Sequence, residues 1–233
     1  MSVREPGPLL AVGREADIFE YGSGLVLRRS REGHSMAYQA TTMTYMRDQG
    51  YPVPAVEEIS EDGSEMVLER IEGPSMVAAI SKAPWTVRRQ ARTLADLHAR
   101  LHELAAPEFL WPAPVGSGDR VLHMDLHPLN VIVSPNGPFV IDWANACRGD
   151  PLVDVGVAWV LMAAGQIPGN RVEATLLGWG RALLVNGFVN RFDRAEVGRR
   201  LREVVTWKVT DAHMSPEEVA GMWKVVERAE AKS

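Results

Sequence analysis

Apolar residues fall in short clusters ahead of Glu72-Gly73-Pro74 and in long helical stripes behind it. Residues 9–12, 17–21 and 25–28 are brief β-prone runs broken by Gly13 and by Gly22-Ser23-Gly24, which predicts three strands. Residues 35–49 place Met36, Gln39, Thr42, Met43 and Met46 at helical spacing and stop at Gly50 and Pro52-Val53-Pro54, so a helix is expected there. Two further strands, 56–59 and 65–70, flank an Asp62-Gly63 turn. Beyond the joint, residues 88–104 carry Ala91, Leu94, Ala95, Leu97, Leu101 and Leu104, a strongly amphipathic helix. Val131-Ile132-Val133 and Phe139-Val140-Ile141 enclose Ser134-Pro135-Asn136-Gly137 and predict a hairpin turning at Asn136-Gly137. That turn would set Val133 opposite Val140 and Val131 opposite Asp142. Three or four helices should fill 152–231. The last opens on Ser215-Pro216-Glu217-Glu218, with a capping serine, proline at the first helical position and glutamate three residues after the cap.

The hairpin is where chemistry enters. It is preceded by His123-Met124-Asp125-Leu126-His127-Pro128-Leu129-Asn130 and followed by Ile141-Asp142-Trp143. The expected pairing brings Asn130 and Asp142 to its open end, with Asp125 on the loop that feeds it. Two oxygen ligands, an amide and a carboxylate, beside a second carboxylate suit a hard cation and a hydroxyl to be deprotonated. That is a phosphoryl-transfer layout.

Bulk properties narrow the setting. The 233 residues, 46% hydrophobic and 24% charged, can bury a sizeable core as one large domain or two lobes. A single cysteine, Cys147, excludes an internal disulfide and fits a reducing compartment. The N-terminus lacks the apolar run of a signal peptide, and the longest apolar run, 155–164, is too short to span a bilayer. A cytoplasmic protein without a membrane partner is expected. Residues 1–154 hold 14 Lys+Arg against 21 Asp+Glu, whereas 155–233 hold 11 against 9. Neither part has the basic face of a nucleic-acid binder.

The central motif resembles the aminoglycoside phosphotransferase and choline kinase branch of the protein-kinase-like superfamily. That branch shows His-Gly-Asp-Leu-His-Pro-Gly-Asn, Ile-Asp-Trp, and Gly-Asp-Pro with a later Asp. The chain has the counterparts His123 to Asn130, Ile141-Asp142-Trp143, and Gly149-Asp150-Pro151 with Asp154. The likeness continues upstream through Val26-Leu27-Arg28, Gly50-Tyr51-Pro52-Val53-Pro54 and Leu94-Ala95-Asp96-Leu97-His98. The resemblance implies an α+β, bilobal protein-kinase-like fold, with a β-rich nucleotide-binding lobe over 1–72 and a mostly helical catalytic and acceptor-binding lobe over 73–233. It implies transfer of the γ-phosphate of ATP or GTP to a hydroxyl of a small molecule. Asp125 would be the base, and Asn130 and Asp142 would hold Mg²⁺. Arg28 would take the place of the phosphate-contacting lysine. The backbone of Glu69, Arg70 and Ile71 would border the base of the nucleotide, and residues 13–19 would cover its phosphates without a glycine-rich pattern.

Two departures stand out. The family's glutamate partner to the strand lysine falls on Gln39, which can hydrogen-bond Arg28 but cannot neutralise it. The helical insert of larger relatives is reduced to residues 103–122. Both motivate an alternative, a nucleotide-binding pseudokinase or scaffold. A metal-dependent hydrolase built on His123-x-Asp125-x-His127 is a poorer fit, because no second ligand cluster accompanies it. His98 and His102, four apart on a helix, read as helix-face residues, Asp150 and Asp154 as acids stabilising a helix start, and His123 as structural; Asp150, eight residues after Asp142, is also open to a minor role near the metal. His127 is open between packing and acceptor contact. Trp159, Trp179, Trp207 and Trp223 read as core, with any exposed ones marking an acceptor wall or a homodimer face. The slightly basic helical end argues against the polycationic acceptors that the family's name suggests.

Overall fold

The computed structural model describes residues 6–13, 15–165, 171–212 and 214–231, with backbone alone for 171–177. Residues 1–5, read above for a leader, and Arg14 of the phosphate-covering stretch lie outside the described residues. The fold is α+β, with a five-stranded N-terminal sheet and seven helices among the described residues. It divides into two compact units: residues up to 74 with 132–144, and residues 75–131 with 145 onward.

In the first unit, β1 (Leu9–Val12), β2 (Ala16–Glu20), β3 (Leu25–Ser30), β4 (Val56–Ile59) and β5 (Glu65–Glu69) form one antiparallel sheet in the order β1-β2-β3-β5-β4. Ala16, Leu27, Met66, Val67 and Leu68 are the buried residues of its strands, and α1 (Ala37–Asp48) buries the expected Gln39, Thr42, Met43 and Met46. The β4–β5 turn is set by Asp62, whose carboxylate accepts from the Ser60 hydroxyl at 2.7 Å and the Ser64 N–H at 3.0 Å. Gly63 follows at φ +75°, where only glycine avoids strain.

The hairpin is built from β7 (Val131–Ser134) and β8 (Gly137–Val140), so its turn is Pro135-Asn136, one residue earlier than expected. Proline's fixed φ suits the first turn position, and Gly137, at φ +116°, is taken into the second strand. The register expected for an Asn136-Gly137 turn is therefore displaced. The hairpin groups with the first unit because its backbone is tied there. Val133 N–H donates to Pro74 at 2.9 Å and Val140 N–H to Pro52 at 2.8 Å. Gly73 makes the approach close: a Cβ there would lie 2.4 Å from the Val133 carbonyl oxygen.

In the second unit, α3 (Val87–Glu103) buries the predicted stripe of Ala91, Leu94, Ala95, Leu97 and Leu101. Three short elements escaped the sequence reading. Helix α2 (Met76–Lys82) is capped by Ser75, and β6 (Arg120–Leu122) pairs with β9 (Cys147–Gly149). Four helices follow: α4 (Pro151–Ala164), α5 (Arg171–Val189), α6 (Arg194–Lys208) and α7 (Pro216–Glu230). The Ser215/Glu218 capping box of α7 is present in full. Helix α4 is buried nearly all round, and Gly156 lets Val197, Leu201 and Val204 of α6 close on it. Trp159 is core, as expected, whereas Trp179 is 73% exposed. Among the described residues, no helix is long and apolar enough to cross a membrane.

Candidate active site

The loop carrying Asp125 belongs to the second unit and is held by a buried carboxylate. Asp154, one turn into α4, accepts the backbone N–H of Met124 at 2.7 Å and of His123 at 3.3 Å. It also accepts the His102 ring at 2.9 Å, with the His98 Nδ1 3.5 Å away. His98 in turn donates through Nε2 to the Leu126 carbonyl at 3.0 Å. Three residues of the loop, 123, 124 and 126, are thus fixed from α3 and α4. The anchor holds strained backbone. Met124 sits at φ +62°, a conformation an L residue adopts at a cost of about 1–3 kcal/mol. The family pattern has glycine there.

Burial alone would raise the Asp154 carboxyl. The hydrogen bonds it receives outweigh that and hold it well below the usual carboxylate range. Burial lowers His102, so its ring is neutral and donates one N–H to the carboxylate. The two histidines and Asp154 bring their ligand atoms within 4.8 Å of one another. A metal there would have to replace the direct His102–Asp154 hydrogen bond, so the geometry is that of a hydrogen-bonded anchor. The histidines are packed helix-face groups with a definite task.

This anchor has a pH signature. Because His102 is harder to protonate folded than unfolded, the unfolded chain takes up the proton first, below the ordinary value of 6.5. Stability should therefore be full above that pH and fall below it by up to about 1.4 kcal/mol per pH unit. Urea denaturation from pH 7.5 to 5 would show the slope, and His102→Gln, which keeps an N–H donor, should flatten it.

Asp125 itself is oriented by Asn130, whose Nδ2 donates to the Asp125 carbonyl and to its Oδ2, both at 2.9 Å. With the amide nitrogen so committed, the Asn130 amide oxygen is the atom it can offer a cation. His127 Nδ1 accepts the Leu129 N–H at 3.3 Å, capping the turn that ends in Asn130, and its Nε2 lies 3.6 Å from Asp125. Asp150 caps α4 through Leu152 N–H at 3.0 Å and pairs with Arg200 at 2.9 Å, so both its oxygens are engaged within the helical unit. Cys147 is a buried thiol pushed up to about 12, chiefly by burial and then by the Asp154 charge.

The other sequence-selected residues belong to the first unit. Arg28, on β3, donates to Asp142 Oδ1 at 3.0 Å. Asp142 is at φ +66°, which aspartate tolerates better than most residues, and is 40% exposed. Behind the pair lies Gln39, 4% exposed. Its amide oxygen, assigned from the donors around it, accepts Arg28 Nη1 at 3.0 Å and the Trp143 N–H at 3.2 Å. Trp143 is fully buried, stacked edge-on with Tyr51 at 5.5 Å. Gln39 thus joins strand, helix and the Asp142-Trp143 step, and the charge of Arg28 is met by Asp142. Of the linker stretch, Glu69 accepts from Arg47 at 3.1 Å and the Ala55 N–H at 3.0 Å. Arg70 pairs with Glu20 at 3.2 Å and Glu72 at 2.8 Å, and Ile71 follows it.

Residues 104–197 match the family model described as the phosphotransferase enzyme family. No curated protein matches the chain. A choline/ethanolamine kinase family protein from Mesorhizobium loti superposes with TM-score 0.60 at 17% identity, covering 99% of this chain and 88% of its own. A gentamicin-bound aminoglycoside phosphotransferase gives 0.64 at 13%, covering 100% and 91%. Another, in ternary complex with AMP-PNP and hygromycin B, gives 0.57 at 15%, covering 97% and 94%. The chain carries the phosphotransferase family's sequence pattern over 104–197, and its fold is the protein-kinase-like fold of the aminoglycoside phosphotransferases and choline kinases.

Proposed function

We propose that the protein is a nucleotide-dependent kinase that phosphorylates a hydroxyl of a small molecule. The observation that carries this is the presentation of Asp125: a partly exposed carboxylate with one oxygen fixed by Asn130, on a loop pinned by Asp154. A general base needs a fixed lone pair beside the hydroxyl it deprotonates, and that arrangement supplies one. Asp125 would orient the acceptor hydroxyl and take its proton as the phosphoryl group moves.

The donors fit Mg²⁺. Asn130 offers an amide oxygen and Asp142 a carboxylate, a hard oxygen set. When bound, Mg²⁺ neutralises phosphate charge on ATP or GTP. Arg28 would contact phosphate oxygens with its planar fork, and the backbone of 69–71 would border the base. Residues 1–72 then serve as the nucleotide-binding lobe and 73–233 as the catalytic and acceptor-binding lobe. Nucleotide complexes are known for fold neighbours, among them the AMP-PNP complex above.

One observation favours the second reading, a nucleotide binder with little catalysis: Asp142 is already engaged by Arg28. The same experiment separates the two. Calorimetry with Mg²⁺ and ATP, run beside a phosphotransfer screen of sugars, amino alcohols and aminoglycosides, should give binding and a phosphorylated product. Asp142→Ala should abolish the product. Gln39→Glu should give Arg28 a second anionic partner, loosen its hold on Asp142, and lower the Mg²⁺ concentration for half-maximal turnover about threefold to tenfold. Binding with no product for any acceptor would favour the second reading. No nucleotide binding at all would defeat both.

A further inference from the structure

We infer that the helical unit carries a second ligand site, a cavity that takes a small organic anion and is separate from the Asp125 loop. The cavity, about 610 Å³, lies among α4, α5, α6 and α7. That volume is in the range of small-molecule sites. Its walls include Val185 and Val225, and three arginines line it: Arg181, Arg194 and Arg228.

Two of these cations are set in place by the fold. Arg194 lies over the Trp159 ring at 4.8 Å and donates from Nη1 to the side-chain oxygens of Asn186 at 3.0 Å and Asn190 at 3.1 Å. Arg181 donates from Nη1 to the Ala163 carbonyl at 3.0 Å, near the end of α4, and burial lowers its affinity for the proton. Among the described residues, no further hydrogen bond reaches the Nε or Nη2 of either. Arg228 is exposed on the last turn of α7.

Among the described residues, no carboxylate lies within ion-pair distance of Arg181, Arg194 or Arg228. Three acids on α6 and α7 or at their ends are engaged elsewhere: Asp193 caps α6, Glu196 pairs with Arg199, and Glu230 pairs with Arg202 at 2.8 Å. Cations set along the wall of an apolar cavity favour an anion as its occupant. Arginine forks suit a carboxylate or a phosphate monoester, and the valines suit an apolar body behind that headgroup.

The position along α4 separates this site from the catalytic loop. Asp154 holds that loop from the first turn of α4, while Trp159 is about 7.5 Å further along the axis and about 140° round it. The inference stands without the kinase reading, since none of these residues serves it.

Isothermal titration of the intact protein with phenyl phosphate, benzoate, inorganic phosphate and benzylamine tests it. The nucleotide site is occupied throughout by saturating Mg²⁺ and AMP-PNP. One organic anion should bind per chain, inorganic phosphate more weakly, and benzylamine not at all. The stronger of phenyl phosphate and benzoate identifies the headgroup. Arg228→Gln, on an exposed position, and Arg181→Gln should each weaken binding about tenfold, while Asp125→Asn leaves it unchanged. The proposal is overturned if neither organic anion binds, if benzylamine binds as well, if inorganic phosphate binds as tightly, or if both arginine variants bind like the parent.

Discussion

Asp125→Asn should lower phosphoryl transfer by about 10²- to 10⁴-fold, the usual worth of a positioned general base, and leave nucleotide affinity within about a factor of two. The substitution is isosteric. The amide oxygen it introduces can still accept the Asn130 Nδ2 that now meets Asp125 Oδ2 at 2.9 Å, and the second bond of the Asn130 amide goes to a backbone carbonyl, which is untouched. Loop geometry should therefore persist and only the proton acceptor is lost. Nucleotide contacts are assigned to Arg28, Asp142 and 69–71, so the loss should appear in kcat with KM for the nucleotide nearly constant. Single-turnover transfer with a phosphorylated acceptor from the screen is the measurement. A variant that kept full kcat would remove Asp125 from the base role.

The β-rich and helical halves were legible because each followed one period. Five strands and α1 were marked by glycine, proline and the Asp62-Gly63 turn, and the structure moves their ends by a residue or two. Helix α7 was marked by its capping box alone. The hairpin was legible, but its turn was not. Pro135 competes with Asn136-Gly137 for the turn, and a proline that must be kept out of the ladder wins. The β6–β9 pair went unseen because three-residue strands carry no period to read. Trp179 misled for a different reason: a tryptophan's preference for burial is an average, and helix position decides the case.

The site followed the same division. Asp125, Asn130 and Asp142 were marked by motif spacing, which is a property of the chain. What fixes the loop was not, because it depends on a contact between residues 30 apart. Asp154 read as a helix-start acid, and His98 and His102 as face residues; each reading is locally correct and misses that the three meet. One signal was available. Met124 stands where the family pattern has glycine, and a non-glycine residue forced to φ +62° needs something to hold it.

That dependence sets the other large effect. Asp154→Ala should destabilise the protein by about 3–5 kcal/mol, the range for removing one partner from a buried charged network. The carboxylate serves the Met124 and His123 N–H groups and the His102 ring at once, and it is 1% exposed, so water cannot readily replace it. Each orphaned donor carries its own desolvation cost, and Met124 would lose the bond that offsets its strained backbone. Asp154→Asn should do less harm, because its carbonyl oxygen can keep the Met124 N–H while its amide faces the His102 N–H badly. Chemical denaturation followed by tryptophan fluorescence would rank the parent above Asp154→Asn and Asp154→Ala last. A double variant supplies the discriminating result. If Met124 is strained and held only by Asp154, Met124→Gly should recover about 1 kcal/mol or more in the Asp154→Ala background, where nothing else offsets the positive φ. It should recover less in the parent, where glycine's added unfolded-state entropy opposes the gain. Equal effects in both backgrounds would show that Asp154 does not hold the strain at Met124, and the anchor would reduce to an ordinary buried hydrogen-bond cluster.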